Sequence, residues 1–266
     1  MITRRCWMLT AAGLPLAAEI SAARGKKIVE ESIAALGGKA FVNMRDRTET
    51  GRVYSFYSDR LSGLSRAKIY TRYLTKPSPM RADFFGLRER QSFGKDKEDS
   101  AVLFTEVDGW SISFRGARPI GKELEDRFRD STRRNIFYLL RVRLDEPGML
   151  IEHLGDDTAD NLPVHVVHFT DAENRVVKAF FHISTKLPVR QEYVRRDDKT
   201  RDRIDEVSRF AKFRDVNGVQ WPFQIQRERN GGKYYEIFAE SVQINSDLKD
   251  DLFTLPGNLK VLPPAR

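Results

Sequence analysis

The histidines and the acidic clusters are the residues of this chain that could do chemistry. His165 and His168 stand three apart on a predicted strand, so their side chains face opposite sides of a sheet and cannot share a metal ion. His153 could converge with Asp156 and Asp157 at a turn, although a solvated loop is the more usual setting for such a group. The spacing therefore predicts no metal site.

A second charged cluster near residue 200 is predicted to be a solvated turn, because its carboxylates alternate with basic residues. It consists of Asp197, Asp198, Asp202 and Asp205, interleaved with Lys199, Arg201 and Arg203. His182 alternates with Phe181 and is expected to face outward. The sequence has no Gly-x-Ser-x-Gly elbow, P-loop, dinucleotide-binding fingerprint or paired-cysteine zinc motif. We therefore expect no catalytic residue and no cofactor, and predict that the protein is not an enzyme.

The charge balance favours a mixed-charge exterior over a nucleic-acid site. The 266 residues include 46 basic and 38 acidic ones, with a formal net charge of +8. Acids and bases alternate along the predicted strands, whereas nucleic-acid binding calls for a basic stripe. The middle of the chain is nevertheless rich in arginines, which we expect to face water or, alternatively, lipid head groups or an acidic partner: Arg115, Arg118, Arg127, Arg129, Arg133, Arg134, Arg141 and Arg143.

Residues 1–23 have the layout of a cleavable signal peptide. Arg4 and Arg5 precede an apolar run, small residues follow, and cleavage is predicted after Ala18 or Ala23. The arginine pair resembles a twin-arginine signal, although Leu9 stands where a lysine is usual. The apolar run is too short for a membrane span of about 20 residues. These features predict a periplasmic protein, and the only cysteine, Cys6, would leave with the leader. The mature chain would then have neither a disulfide nor a cysteine metal site.

The rest of the chain, residues 24–266, is predicted to form a single domain of about eleven antiparallel strands. Alternating apolar and polar residues, separated by turn signals, indicate strands at 50–58, 67–74, 101–107, 110–114, 149–154, 164–170, 176–184, 189–196, 204–214, 219–229 and 233–244, and residues 80–85 are predicted to continue the first group in extended form. Residues 88–99 are expected to form a charged loop. An amphipathic helix is predicted at 25–43, and residues 118–144 change to helical periodicity as one helix or as two that break near Ser131.

This pattern predicts a mainly β (α+β) fold: a curved, incomplete antiparallel β-barrel with helices over its concave face. A sheet of this length tends to curl, and the helices must bury their apolar sides on something. A closed barrel with the helix outside is the competing arrangement.

Several short motifs, in their order along the chain, resemble those of the outer-membrane lipoprotein carriers, the LolA/LolB-like superfamily. Each is weak alone, but together they cover most of residues 24–266. They are Ala34 to Gly38, Lys76-Pro77 with Arg81, Asp108-Gly109-Trp110, Leu187-Pro188, Val216-Asn217-Gly218 before Trp221-Pro222, Val242 to Asn245, and Phe253 to Pro256. Lys76 stands where the carriers often have arginine, and lysine cannot make the same bidentate contacts.

The resemblance implies a monomeric periplasmic carrier or chaperone that shields acyl chains of a lipid or lipoprotein in an apolar concave cavity. A membrane-bound donor or acceptor protein would be its partner. An RseB-type regulator, which senses lipid and docks to an inner-membrane protein, is the alternative. Lys76 and Arg81 are the candidate polar residues of the cavity or lid. The candidate apolar lining residues are Tyr54, Phe56, Phe84, Trp110, Ile112, Phe114, Phe128, Ile136 and Leu140.

Overall fold

A computed structural model describes residues 14–94, 99–257 and 259–264. In these residues the chain forms one antiparallel sheet of thirteen strands with a few helices. The strands are β1 Asp46–Tyr57, β2 Arg60–Tyr73, β3 Leu87–Gly94, β4 Ser100–Phe104, β5 Gly109–Ser113, β6 Gly116–Pro119, β7 Leu150–Ala159, β8 Leu162–Thr170, β9 Val176–His182, β10 Pro188–Arg196, β11 Arg203–Val216, β12 Val219–Arg229 and β13 Gly232–Ile244.

The two outermost strands of the sheet are consecutive in sequence. The order is β6-β5-β4-β3-β2-β1-β13-β12-β11-β10-β9-β8-β7, so β6 and β7 lie at opposite edges. Residues 120–149, which we call the crossing segment, join these edges by passing over one face of the sheet. That face is the concave face here, and the opposite one is the convex face. The predicted incomplete barrel is therefore confirmed.

The crossing segment consists of short helical pieces. Helix α3 spans Lys122–Arg133, α4 spans Ile136–Tyr138, and a π-helical turn, Leu139–Arg143, continues it. The break lies at Arg134 and Asn135, a few residues beyond the predicted Ser131. Asn135 caps α4, because its Oδ1 accepts hydrogen bonds from the backbone N–H groups of Phe137 and Tyr138.

The predicted N-terminal helix is two helices, α1 Leu14–Ala35 and α2 Lys39–Val42. They are separated at Gly37, whose φ is +120° and which lies against the backbone of Gly218. A Cβ at Gly37 would approach the Gly218 carbonyl oxygen to 2.1 Å, so only glycine allows this contact. Among the described residues, no helix is long and apolar enough to cross a membrane. Arg4, Arg5 and Cys6 of the predicted leader lie outside these residues, and its cleavage stays a prediction.

The main core lies between the concave face, α1, α2 and the second half of the crossing segment. Its fully buried members include Leu36, Phe41, Ile136, Phe169 and Phe181. A smaller core lies on the convex face, where the C-terminal segment covers β2 to β6. Its residues are Tyr70, Ala101, Leu103, Ile112, Ala117 and Phe253.

Three local predictions were wrong. The charged loop at 88–99 is largely strand β3, residues 80–85 form no strand, and the short β6 was not predicted, which accounts for thirteen strands instead of about eleven. Strand β3 escaped detection because Glu89 and Gln91 interrupt the apolar face that Leu87 and Phe93 share. Glu89 and Gln91 line a cavity on the concave face, whereas Arg88 alternates with them and lies on the convex face.

Candidate ligand-binding cavity

A cavity lies between α3, α4 and the concave face of the sheet. It has two adjoining chambers of about 170 Å³ and 300 Å³, and these share the lining residues Gln91, Phe128, Ser131, Asn135 and Arg227. Strands β1 to β3 contribute to one side, and β10 to β13 to the other. The two volumes together fall within the roughly 300–1,000 Å³ that small-molecule sites occupy.

One wall of the cavity is apolar. Phe128 of α3 stacks on Phe104 of β4 with ring centroids 3.7 Å apart, and it meets Phe85 edge-on. Aliphatic side chains of four strands continue this wall: Ile69, Leu87, Ile225 and Ile237. An acyl chain could therefore lie between the helix and the sheet.

Charged side chains of β1 lie among these aliphatic ones, with Glu49 opposite Ile69, which corrects the prediction of an apolar pocket. Arg47 donates hydrogen bonds to Tyr73 at 3.0 Å and Thr71 at 3.1 Å, and stacks over Trp221 at 4.1 Å. The Trp221 indole N–H donates to Glu49. Polar groups persist here because they satisfy one another, which removes most of the cost of burying them.

Glu206 organises the wall of the larger chamber. It accepts hydrogen bonds from Arg195 at 2.9 Å and Arg229 at 3.0 Å, and from the Tyr234 hydroxyl at 3.2 Å. These charged groups of the wall are thus paired with one another. Neither chamber is lined by a histidine or a cysteine in the described part of the chain.

Arginines attach the crossing segment to the rest of the protein. Arg133 donates to the carbonyl oxygens of Ala82 at 2.8 Å and Asp83 at 3.1 Å. Arg141 donates to the Met44 carbonyl and stacks over the Tyr73 ring. The expectation that the arginines of this segment face water is wrong for Arg134, Arg141 and Arg143, which are buried.

Arg143 is the centre of a buried ionic network where the crossing segment approaches β8. It donates to both Glu146 oxygens at 2.8 and 2.6 Å, to Asp171 at 2.9 Å, and to the Arg133 carbonyl at 2.7 Å. Its side chain is 2% exposed. Arg175 donates to the same Asp171 oxygen at 2.7 Å. The network thus joins the end of the crossing segment to the β8–β9 turn.

Acid should weaken this network. Burial opposes ionisation of Asp171, but hydrogen bonds from Arg143 and from the backbone and side chain of Arg175 outweigh it and lower the pKa of Asp171 from 3.8 to about 2. Because the folded pKa lies below the unfolded one, the carboxylate contributes roughly 2 kcal/mol above pH 5, and this is lost as the pH falls through 4 toward 2. We expect the difference in unfolding free energy between wild type and Asp171→Asn to shrink by roughly 1 kcal/mol from pH 6 to pH 3 in urea titrations. A constant difference would contradict this assignment.

Of the nine predicted apolar residues, the structure places Phe128 in the cavity. Ile136 and Leu140 are fully buried in the adjacent core, which leaves no space beside them for a ligand. Phe84 packs against the cluster formed by Phe85, Leu87, Tyr138 and Val142.

The remaining five predicted residues do not line the cavity. On β1, Arg47 and Glu49 face the cavity and Val53 packs with Ile237, so Tyr54 and Phe56 alternate to the convex face, where Tyr54 meets Phe238. Trp110 and Ile112 lie under the C-terminal segment on the convex face. Phe114 is 89% exposed at the β5–β6 turn.

The two predicted polar residues also lie elsewhere. Lys76 forms a surface ion pair with Asp145 at 3.5 Å, and Arg81 pairs with Asp83. Neither lines a chamber. The bonds from the crossing segment to residues 82–84 come instead from Arg133, which the sequence marked only as one of many arginines.

The structure brings His153, Asp156 and His165 together under α1, with donor atoms within 4.8 Å of one another. These residues lie on paired strands, at the bulge between His153 and Gly155, and not in a solvated loop. His165 Nδ1 lies 2.5 Å from Asp156 Oδ1, and His153 Nε2 lies 3.3 Å from the same oxygen. The three groups are close enough to hold a metal ion, so the predicted absence of a metal site stays a prediction. His165 and His168 face opposite sides, as predicted: His165 shares a face with its partner Asp156, and His168 with its partner Glu152.

Sequence reasoning missed several lining residues, chiefly Glu49, Trp221, Arg227, Tyr235 and Ile237. A signal for the correct face was present on β2, where Ile69, Thr71 and Tyr73 alternate together and all line the cavity. To infer which residues of β1 and β13 share that face, one needs the pairing register, for example that Val53 lies opposite Ile237. The sequence alone does not supply this register.

We compared the sequence and the fold of this chain with those of known proteins. No protein-family model and no curated protein matches the sequence. A domain from Vibrio parahaemolyticus, assigned to outer membrane lipoprotein sorting, superposes with a TM-score of 0.57 at 14% identity, covering 88% of this chain and 97% of that one. A DUF1329 family protein from Desulfovibrio piger gives 0.58 at 14% identity, covering 86% and 97%. A LolA superfamily protein from Nitrosomonas europaea gives 0.54 at 15% identity, covering 86% and 97%. The chain therefore has the fold of the LolA-like lipoprotein-sorting proteins.

Proposed function

We propose that this protein is a periplasmic carrier that holds an acyl chain of a lipid or lipoprotein in the cavity under the crossing segment. The observation that supports this most directly is the cavity itself: Phe128, Phe104 and Ile225 line a space that the otherwise closely packed concave face leaves open. The similarity of fold to lipoprotein-sorting proteins supports the same ligand class.

The energetics of such binding need no catalytic group. Each methylene removed from water contributes about 0.8 kcal/mol, so ten methylenes contribute about 8 kcal/mol, before the costs of association are subtracted. Micromolar affinity corresponds to about 8 kcal/mol. Ten buried methylenes would therefore give binding weaker than micromolar once these costs are subtracted, and a longer buried chain would bind more tightly.

Attachment of the crossing segment by hydrogen bonds supports reversible opening. Arg133, at the end of α3, binds carbonyl oxygens that water could solvate instead, whereas the aliphatic core around Leu36 and Ile136 has no such substitute. We infer that helix α3 moves away from the sheet when the ligand enters or leaves, and that α4 stays in the core. On this proposal the protein acts by binding and not by catalysis, and works as a monomer.

The test is titration of the delipidated protein with a fluorescent fatty acid. We expect saturable binding near one molecule per chain, with a dissociation constant that changes less than about threefold between 50 and 500 mM salt, because burial of apolar surface drives it. Absence of saturable binding would overturn the proposal. If the protein binds lipid but forms a stable complex with a membrane protein and transfers nothing between vesicles, the RseB-type regulatory alternative would replace the carrier.

A further inference from the structure

Arg227 occupies the centre of the cavity. It lies on β12, lines both chambers, and stands opposite Tyr235 of β13, with its guanidinium 5.3 Å from the Tyr235 ring centroid. Among the residues that the structure describes, no other arginine lines both chambers. Any molecule that extends through both chambers must pass this side chain.

Arg227 also differs from its neighbours in having no ionic partner. Arg195 and Arg229 bind Glu206, and Arg209 binds Asp160. In the described parts of the chain, no carboxylate lies within ion-pair distance of Arg227 and no group accepts a hydrogen bond from it. Burial opposes the charge of Arg227, and the surrounding tyrosines and Glu89 outweigh this and raise its pKa without forming an ion pair. Its free donors therefore point to a partner outside the protein.

Two tyrosine hydroxyls that face the cavity also lack a hydrogen-bond partner among the described residues. Tyr235 lines the smaller chamber and Tyr193 the larger one. Within the described residues neither hydroxyl makes a hydrogen bond to the protein, in contrast with Tyr234, which donates to Glu206. Burial raises the pKa of Tyr193, and raises that of Tyr235 to about 12, so both remain protonated donors at neutral pH. Beside its paired charges, the cavity thus presents one cation and two O–H donors that have no hydrogen-bond partner in the described part of the protein.

We propose that Arg227 binds the oxyanion head group of an acidic amphiphile whose acyl chain lies along Phe128 and Ile225. The planar guanidinium can donate two parallel hydrogen bonds to a carboxylate or a phosphate, and Tyr193 or Tyr235 can supply a further donor. This inference rests on the proposed function, because it names the ligand class of the same cavity. It further means that a neutral lipid with the same chain binds more weakly.

The experiment compares three probes on the full chain: dodecanoate, dodecanol and acetate. Each is titrated by calorimetry into wild type, Arg227→Gln and the control Arg203→Gln, which removes an exposed arginine of the adjacent strand β11. We expect Arg227→Gln to weaken dodecanoate at least tenfold and to change dodecanol less than twofold. Arg203→Gln should behave as wild type. Without ligand, Arg227→Gln should melt at or above the wild-type temperature, because it removes an unpaired charge.

The outcomes separate this inference from the proposed function. If dodecanoate and dodecanol bind equally and Arg227→Gln changes neither, the head-group inference fails and the carrier proposal stands. If neither twelve-carbon probe binds, both fail. If acetate binds as tightly as dodecanoate in an Arg227-dependent way, the site takes a small free anion and the amphiphile is the wrong ligand. A large loss of stability in Arg227→Gln would assign the arginine a structural role and overturn the inference.

Discussion

Arg143→Ala should lower the free energy of unfolding by about 3–5 kcal/mol, the largest loss expected from any single charged residue here. The guanidinium is fully buried and makes four hydrogen bonds, to Glu146, Asp171 and the Arg133 carbonyl. Removing it leaves Glu146 as a buried carboxylate without this partner. Most of the expected loss in unfolding free energy therefore comes from leaving Glu146 buried without its partner, and less from losing the attraction itself.

Urea denaturation at pH 7 measures this effect, with Arg45→Ala as the control. Arg45 pairs with Asp247 at 3.0 Å, but both side chains are more than two-thirds exposed, so its loss should cost less than about 1 kcal/mol. Arg143→Lys should be intermediate, because lysine keeps the charge but cannot bind Glu146 with two parallel bonds. Equal stability of the Arg143→Ala and Arg45→Ala variants would show that the network does not anchor the crossing segment.

Ser131→Trp should reduce affinity for a fluorescent fatty acid at least 100-fold while the protein remains folded. Ser131 lies on α3 and lines both chambers, where its small side chain leaves the space under the helix open. An indole there would occupy much of the smaller, 170 Å³ chamber, so an acyl chain would have to displace it. Overpacking of the surrounding residues should cost no more than about 1–3 kcal/mol.

Asp126→Trp is the matched control for this substitution. Asp126 lies on the same helix but is exposed and lines neither chamber, so a tryptophan there adds the same aromatic surface outside the cavity. Its affinity should stay within about twofold of wild type. A folded Ser131→Trp variant that binds as tightly as the control would place the ligand elsewhere.

The architecture could be predicted from sequence because it depends on local patterns. Alternation along β1, β2 and β7 to β13 indicates strands, and the change of period after residue 118 indicates the crossing segment. The motif order then pointed to a LolA-like fold, which the solved structures confirm. These signals need no knowledge of which strands are neighbours.

The cavity could not be predicted to the same extent because it depends on long-range pairing. Tyr54 and Phe56 carry the aromatic signal of β1, yet they lie on the convex face because β1 pairs with β13 in a register that places Val53 beside Ile237. Likewise, Trp110 is covered by the C-terminal segment. The sequence motif of that segment does not indicate which face of the sheet it packs against.

The buried charges were missed for a related reason. Arg143 and Asp171 are 28 residues apart in sequence, so an arginine that looks solvated on a helix finds its partner only in the folded sheet. The same holds for Arg47 and its contact with Trp221. Composition predicted polar surfaces correctly but could not distinguish those that face water from those that face the cavity.

Anomalous diffraction from crystals soaked with a bromine-labelled twelve-carbon carboxylic acid would locate the bound chain directly. Placing the bromine at the chain terminus should give one strong peak between α3 and the sheet, near Phe128 and Ile225, with the carboxylate directed toward Arg227. A peak only on the convex face, or none within the two chambers at saturating ligand, would contradict the assignment of this cavity as the binding site.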